Sequence, residues 1–274
     1  MKKILVIFSQ YNNSHLTIKA INSIETCLKR GFSFFFLVID DRSNNLIHYH
    51  KIKQFSKSRK NVFLIRNRIN FGYFRSISKN LSYKKLENYD YIWFGNNDVD
   101  RFSLDYFIIL RKLLDNSSLN AAASGTVIDE KFKKNFRVKR KYFLKKKELS
   151  DVGFLIKIST LKKVGTLSDS FTYEFCDLNY ESRIKKKKLK CIYSDKVNFR
   201  HSTKSSSRKI YKSKINIQKR YIDLIQLYFL EKKLFSLQFL KVLINEIRYV
   251  LNKNYKLLPY CVSGIIIGIK NILN

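Results

Sequence analysis

The chain has 274 residues, enough for one large domain or for one domain with an appendage. Apolar residues make up 45% of it, which allows a sizeable core and excludes an intrinsically disordered protein. The 55 Lys and Arg residues exceed the 21 Asp and Glu residues and give a net charge of +34. This charge predicts contact with a polyanion: nucleic acid, an anionic membrane or a phosphorylated substrate. Lys, Asn, Ile, Tyr and Phe are abundant and Pro occurs once, a bias typical of AT-rich coding, so the charge is weak evidence of specificity.

The cysteines and the N-terminus indicate a cytoplasmic protein. The four cysteines form no Cys-x-x-Cys pair and have no histidine at metal-ligand spacing, which is typical of small buried hydrophobes in a reducing compartment. Only five apolar residues follow Met1 and its two lysines before Ser9, too few for the core of a signal peptide.

Three continuous apolar runs each end in a polar cluster. The runs and their clusters are 4–8 with 9–13, 34–39 with 40–45, and 91–94 with 96–100. Helix-like segments separate the runs, a pattern typical of a mostly parallel sheet buried on both faces. The carboxyl ends of parallel strands meet at one edge of a sheet, where ligands bind in open α/β folds. The polar clusters therefore form a candidate site.

The cluster at 96–100 carries the oxygen ligands that Mg²⁺ or Mn²⁺ prefers. Asp98 is the leading metal ligand because it follows the apolar run directly, and Asp100 is the second choice. The plainer interpretation is that these residues only end a strand in a turn.

Further along the chain, residues 61–65 predict another strand, and residues 120–128 a fifth. Gly72 lies between these two strands, where the chain turns into a helix. It is either an ordinary turn glycine or a point where the backbone approaches a ligand closely.

Two later segments are relevant to the question of membrane association. Residues 131–147 carry ten Lys or Arg in seventeen positions, typical of a solvated loop or, alternatively, of a surface for phosphate or anionic lipid. From about residue 205 the pattern becomes helical, and residues 257–269 are mostly apolar but are broken by Pro259, Gly264 and Gly268. Thirteen residues are too few to span a bilayer but enough to enter its interface. Packing of these helices on the rest of the protein is the plainer interpretation.

Two acids and a histidine are candidates for chemistry. Glu174 and Asp177 are three residues apart and share a face of a helix, where they either complement the helix dipole or supply a general base. His201 is either a structural histidine or part of a metal or diphosphate site.

Taken together and in their order along the chain, the motifs between residue 4 and about residue 207 resemble those of glycosyltransferase family 2, which has the GT-A fold. The resemblance assigns Gln10 and Asn12 to the first nucleotide-contacting loop, Asp40, Asp41 and Ser43 to the element that holds the base and ribose, Gly72 to the donor pocket, Asn96, Asn97 and Asp98 to the Asp-x-Asp metal motif, Glu174 and Asp177 to the base-bearing motif, and His201 to the late histidine.

The resemblance implies an α/β fold with a GT-A type, mostly parallel sheet flanked by helices. Residues 1–205 would form the catalytic domain. Residues 206–274 lie beyond the resemblance and are expected to form a helical region, and their amphipathic pattern together with the basic stretch at 131–147 predicts association with the inner face of the cell membrane. The implied reaction is inverting transfer of a hexosyl or deoxyhexosyl group from a nucleotide-diphosphate sugar to a glycan or lipid-linked acceptor, in surface polysaccharide synthesis. The implied cofactor is Mn²⁺ or Mg²⁺.

The sequence departs from the family at two points. Phe175 stands where many members have the Asp of Glu-Asp-x-Asp, which leaves the base ambiguous between Glu174 and Asp177. The Asp-x-x-Asp spacing of rhamnosyltransferase-like members fits better, and Asp177 is favoured because it aligns with the acid nearest the following helix. Arg42 replaces a common glycine, which predicts an unusual donor pocket.

Two other classes of protein remain as alternatives. A nucleic-acid-binding protein would explain the charge, but the sequence shows no zinc-finger spacing, RNP-like aromatic motif or basic recognition helix, so we expect no nucleic-acid partner. A catalytically inactive, glycosyltransferase-like partner protein would explain Phe175.

Overall fold

The computed structural model describes residues 1–27, 31–81, 86–129, 135–136, 149, 152–172, 175–202, 214–231 and 236–273. Most of the basic run at 131–147, Glu174 and the proposed boundary at 205/206 lie outside these residues. The strands are β1 Lys2–Gln10, β2 Phe32–Asp40, β3 Val62–Arg66, β4 Tyr91–Gly95, β5 Val99–Asp100, β6 Asn120–Asp129, β7 Asn135–Phe136, β8 Gly153–Lys157 and β9 Lys190–His201. The helices are α1 Ser14–Glu25, α2 Leu46–Lys57, α3 Tyr73–Asn80, α4 Tyr106–Asp115, α5 Ile158–Val164, α6 Cys176–Lys186, α7 Lys214–Leu230, α8 Leu237–Asn254 and α9 Leu258–Leu273, with a 3₁₀ turn at Tyr255–Leu257 before α9.

The strands form one sheet in the order β3-β2-β1-β4-β8-β6-β9-β5, and β7 pairs with β6. Strands β3, β2, β1 and β4 are parallel, as are β6 and β9. The sheet is mixed because β8 runs against β4 and β6, and β5 runs against β9. The predicted α/β fold with a C-terminal helical extension is confirmed, and so is the predicted strand at 120–128. The carboxyl ends of β1, β2 and β4 share one edge, where Gln10 lies opposite Asp40.

Helices cover both faces of the sheet, which explains the unbroken apolar runs. Alternate residues of a strand point to opposite faces. In β1, Val6 packs on one face with α1, α2 and α4, and Ile7 packs on the other with α3, α5 and α6. The side chains that point to either face of the sheet are therefore apolar, as expected for a sheet covered by helices on both faces.

The C-terminal helices share a core with one face of the sheet. Tyr221 and Leu224 of α7 belong to the same buried cluster as Phe171 and Tyr180. Helix α9 packs closely on α7, because a Cβ added at Gly264 would lie 2.5 Å from the Gln218 carbonyl oxygen. The predicted packing of these helices on the rest of the protein is confirmed.

The apolar segment near the C-terminus is longer than the thirteen residues predicted. Helix continues from Tyr255 to Leu273, 19 residues with a mean hydropathy of 1.4, which meets the length and composition of a membrane-crossing helix. Pro259 does not interrupt it because it lies in the first turn of α9, where no intrahelical donor is required. The prediction that the segment is too short to span a bilayer is therefore wrong.

Candidate active site

The carboxylate of Asp40, at the end of β2, organises the first part of the site. It is completely buried and accepts hydrogen bonds from the Gln10 side chain and from the Ser43 hydroxyl, the latter at 2.5 Å. Arg66 forms an ion pair with it at 3.2 Å. The Ser43 hydroxyl in turn accepts the Asn12 backbone N–H at 2.9 Å. Gln10, Asn12, Asp40 and Ser43 therefore meet, and Asp40 joins the loops after β1 and β2.

The neighbouring Asp41 holds the turn before α3. Its carboxylate accepts the Gly72 N–H at 2.8 Å and the Phe71 N–H at 3.0 Å. The Asn67 side chain donates a third hydrogen bond at 2.8 Å. Asp41 thus fixes the backbone of the predicted donor pocket.

Gly72 has two structural reasons to be glycine. Its φ of +86° lies in the left-handed region, which side chains disfavour. A Cβ there would lie 2.4 Å from the Thr172 methyl carbon, so the close approach at Gly72 is made by Thr172.

Asp98 and His201 meet at the same end of the sheet as the β4 carboxyl terminus. The His201 Nε2 atom lies 3.1 Å from an Asp98 carboxylate oxygen, and their side chains are 12% and 5% exposed. The Ser202 N–H donates to the Asp98 carbonyl at 2.8 Å, which fixes the end of β9 beside Asp98. The structure therefore brings together two of the three predicted metal ligands, although they are about a hundred positions apart in sequence.

These two residues fit a divalent cation that also binds a diphosphate. No group of three or more His, Cys, Asp or Glu side chains gathers as a metal site among the described residues. A carboxylate oxygen and an imidazole nitrogen suit Mn²⁺, which takes its remaining ligands from phosphate and water, better than Mg²⁺, which prefers oxygen.

The third predicted metal ligand, Asp100, forms ion pairs with two basic side chains. It lies opposite Arg200 in the β5–β9 pairing, and both its oxygens accept from that guanidinium at 2.6 Å. Lys19 forms a further ion pair at 2.5 Å. Burial opposes ionisation, but the hydrogen bonds and charges of these two cations outweigh it and lower the pKa of Asp100 below its ordinary value. The geometry favours Asp98 over Asp100 as the metal ligand.

Asn96 and Asn97 fix the loop after β4. The Asn96 N–H donates to the Val152 carbonyl at 2.9 Å, and the Asn97 side chain donates to Thr17 of α1 at 3.0 Å. These contacts position the Asp98 backbone.

Asp177 lies in the first turn of α6 and is completely buried. The preceding Phe175 has φ +64°, an uncommon conformation for an aromatic residue that marks local strain. The Arg220 guanidinium lies 5.4 Å from the Phe175 ring centroid and pairs with Glu246 of α8. Phe175, two residues before the candidate base Asp177, is thus supported by α7 and α8.

Two charged residues of α7 contact the site and were not among the residues predicted from sequence. Asp223 is completely buried, and its carboxylate accepts a hydrogen bond from the Thr172 N–H. Lys219 lies one turn earlier and is half-buried, and its ammonium group interacts electrostatically with the carboxylates of Asp223 and Asp41. Burial lowers the pKa of Lys219, and the two carboxylates only partly offset this. One sequence signal was available, since Asp223 is an acid within an otherwise apolar helical stripe.

No protein-family model and no curated protein matches the sequence. Several solved structures share its fold. A mannosyltransferase from Pyrobaculum calidifontis, in complex with GDP-Man and Mn²⁺, superposes with a TM-score of 0.60 at 13% identity, over 97% of this chain and 75% of that one. GalNAc-T7 with UDP, GalNAc and Mn²⁺ gives 0.59 at 14% identity, over 74% and 44% of the two chains. S. aureus TarS with UDP gives 0.55 at 14% identity, over 82% and 66%.

These similarities establish the class of fold. The chain has the α/β, GT-A-like fold of these glycosyltransferases. It spans less than two thirds of the length of GalNAc-T7 and about two thirds of the TarS chain.

Proposed function

We propose that the protein is a glycosyltransferase that moves a sugar from a nucleotide-diphosphate donor to an acceptor hydroxyl. The observation that carries this proposal is the contact between Asp98 and His201 at the carboxyl end of β4. In a GT-A-like fold this edge of the sheet is where a ligand binds. The neighbours solved with GDP-Man, UDP and Mn²⁺ support a nucleotide-sugar donor and a divalent cation.

In the proposed site, Asp98 and His201 would hold Mn²⁺, which would offset the charge that develops on the departing diphosphate. The loops fixed by Asp40 and Asp41 bind the nucleoside. The acceptor oxygen forms a bond to the anomeric carbon while the bond from that carbon to the diphosphate oxygen breaks. A carboxylate takes the acceptor proton, and the nucleoside diphosphate leaves. Attack from the face opposite the leaving group inverts the anomeric centre.

Glu174 or Asp177 supplies this carboxylate. The complete burial of Asp177 favours Glu174, because a general base must come within hydrogen-bond reach of the acceptor hydroxyl. Asp177 then has the role of an acid in the first turn of α6, where a negative charge stabilises the helix.

The finer assignments rest on the sequence alone, through the family resemblance and the basic and amphipathic segments. They are a hexosyl or deoxyhexosyl donor, a glycan or lipid-linked acceptor, and a role in surface polysaccharide synthesis at the inner face of the cell membrane. The departures at Arg42 and Phe175 make a direct donor screen necessary.

The test is a thermal-shift screen of nucleotide-diphosphate sugars with and without Mn²⁺, followed by a turnover assay with the donors that stabilise the protein. We expect at least one donor to raise the melting temperature only when the metal is present. Stabilisation by nucleic acid with no response to any donor would identify the protein as a nucleic-acid binder. Donor binding without transfer to any acceptor or to water would identify an inactive, glycosyltransferase-like partner.

A further inference from the structure

Helix α8 presents an apolar stripe to solvent. Leu237, Leu240, Ile244 and Leu251 recur at spacings that place them on one face, and all four are at least 40% exposed. The opposite face of the same helix is buried through Phe239, Val242 and Val250. The helix therefore has two apolar faces, and only one of them packs against the protein.

Helix α9 repeats this arrangement. Val262, Ile266 and Leu273 are 46%, 49% and 79% exposed and share one face. The other face carries Gly264 and Gly268, which allow close contact with α7. Single exposed apolar residues are ordinary on a protein surface, but regular stripes on two consecutive helices are not.

The charges beside the stripes have one sign. Exposed Lys241 and Arg248 lie seven residues apart next to the α8 stripe, and exposed Lys256 and Lys270 flank the α9 stripe. Glu246 is the one acid in the sequence from 236 to 274, and it is already paired with Arg220. An occupant of this surface must therefore be apolar and negatively charged at its boundary.

We propose that the exposed faces of α8 and α9 dock the protein on an anionic lipid bilayer, with both helices lying in the plane of the interface. Apolar side chains beside lysine and arginine provide the two signals that stable attachment of a peripheral protein requires. The helices do not cross the bilayer, although α9 with its preceding turn is long enough, because α9 remains packed on α7. Pulling α9 into the hydrocarbon would expose Tyr221 and Ile225, which belong to the core of the protein.

Flotation of the full chain with vesicles tests this surface and requires neither donor, metal nor turnover. We expect flotation with vesicles of phosphatidylglycerol and phosphatidylethanolamine and none with phosphatidylcholine alone, with attachment falling as salt rises. A failure here leaves the proposed transferase activity untouched, and an inactive enzyme leaves this test intact.

Two pairs of variants provide matched controls. Leu240→Gln with Ile244→Gln should abolish flotation, whereas Leu104→Gln with Leu119→Gln should not, although Leu119 and Leu240 are 44% and 43% exposed. Lys241→Glu with Arg248→Glu should weaken partitioning by more than roughly thirtyfold, because loss of the two cations alone costs about 2 kcal/mol at about 1 kcal/mol each and the new carboxylates are repelled by the anionic lipid. Lys51→Glu with Lys57→Glu, on exposed positions of α2, should change it much less.

Four outcomes would overturn the proposal. Equal flotation with both vesicle types would show that anionic lipid is not required. Unchanged flotation of the Leu240→Gln/Ile244→Gln variant would show that the protein attaches through another surface. A dimer in light scattering that this variant dissociates assigns the surface to a second copy of the chain. Membrane-bound protein that resists an alkaline wash shows that α9 spans the bilayer.

Discussion

The carboxylate of Asp223 in α7 accepts the backbone N–H of Thr172, with its two oxygens at 3.0 and 3.2 Å from the nitrogen. The Thr172 carbonyl in turn accepts the Phe74 N–H of α3 at 3.2 Å. Thr172 also packs against Gly72, whose N–H is held by Asp41. A continuous set of contacts therefore joins the C-terminal helices to the candidate donor pocket. Helix α7 is a structural part of the site, although it lies beyond the region of family resemblance.

Replacing Asp223 should damage both stability and donor binding. Asp223→Ala leaves the buried Thr172 N–H without this acceptor, which costs about 1–3 kcal/mol. Asp223→Asn keeps a carbonyl oxygen in place and should be milder. Chemical denaturation measures the stability, and the exposed Asp195→Ala is the control for loss of an acid. Equal stability of the Asp223→Ala variant and the wild type would show that the contact is energetically unimportant.

Asp98 and Asp100 should respond differently to substitution. Asp98→Ala removes a proposed metal ligand at the site and should abolish metal-dependent turnover while the fold remains intact. The His201→Ala variant should show the same loss, and Mn²⁺ should support turnover better than Mg²⁺ in the wild type. Isothermal titration of Mn²⁺ with donor present checks binding directly. Full activity in Asp98→Ala would remove Asp98 from the mechanism.

The ion pairs of Asp100 should appear as a dependence of stability on acid pH. Its pKa is lowered in the folded state, so folding favours the ionised carboxylate. The resulting stabilisation is fully present above the unfolded value of about 3.9 and is lost as pH falls through the lower folded value. Asp100→Asn should flatten the stability curve in this acid range and lower the melting temperature at neutral pH. An unchanged curve would mean that Arg200 and Lys19 contribute nothing net.

The strands and much of the site follow from local sequence. Apolar runs with polar ends identified β1, β2 and β4, because a sheet covered on both faces requires apolar residues at every position. Gln10, Asp40 and Ser43 could be grouped in advance because they follow adjacent parallel strands. The position of Asp98 directly after an apolar run predicts a metal ligand, and the family resemblance adds His201. Their contact depends on the pairing of β5 with β9.

Long-range partners could not be read from local sequence. Asp100 looked like a second metal ligand, and only the β5–β9 register places Arg200 beside it. Asp223 finds its partner 51 residues away in a loop, and no periodicity specifies that. Pro259, Gly264 and Gly268 predict breaks in the last apolar segment, and the structure has a continuous helix there. Pro259 is in a first turn and the glycines face α7, so none of them ends the helix.

Gly72 should not tolerate a side chain. Gly72→Ala forces an L-residue into φ +86° and brings its Cβ 2.9 Å from the Thr172 carbonyl oxygen. We expect a loss of about 1–3 kcal/mol in stability and weaker donor binding, because the Gly72 N–H to Asp41 bond would be displaced. Gly31→Ala provides a control at a similar φ, since among the described residues its Cβ would meet only the Arg111 side chain, at 3.8 Å. Similar effects at the two positions would show that backbone strain alone, and not the approach of Thr172, is responsible.

The choice between the two candidate bases can be decided by separating turnover from stability. Glu174→Gln should lower kcat by roughly 10²–10⁴-fold and leave donor binding and melting temperature close to those of the wild type. Asp177→Asn should instead lower the melting temperature, because a completely buried carboxylate in the first turn of α6 is replaced by a neutral amide. Single-turnover kinetics with saturating donor, alongside thermal melts, measures both effects. The reverse pattern, with kcat lost only in Asp177→Asn, would make Asp177 the base and require that its surroundings open for the acceptor. If both variants keep kcat within a few-fold of the wild type, neither acid is the base.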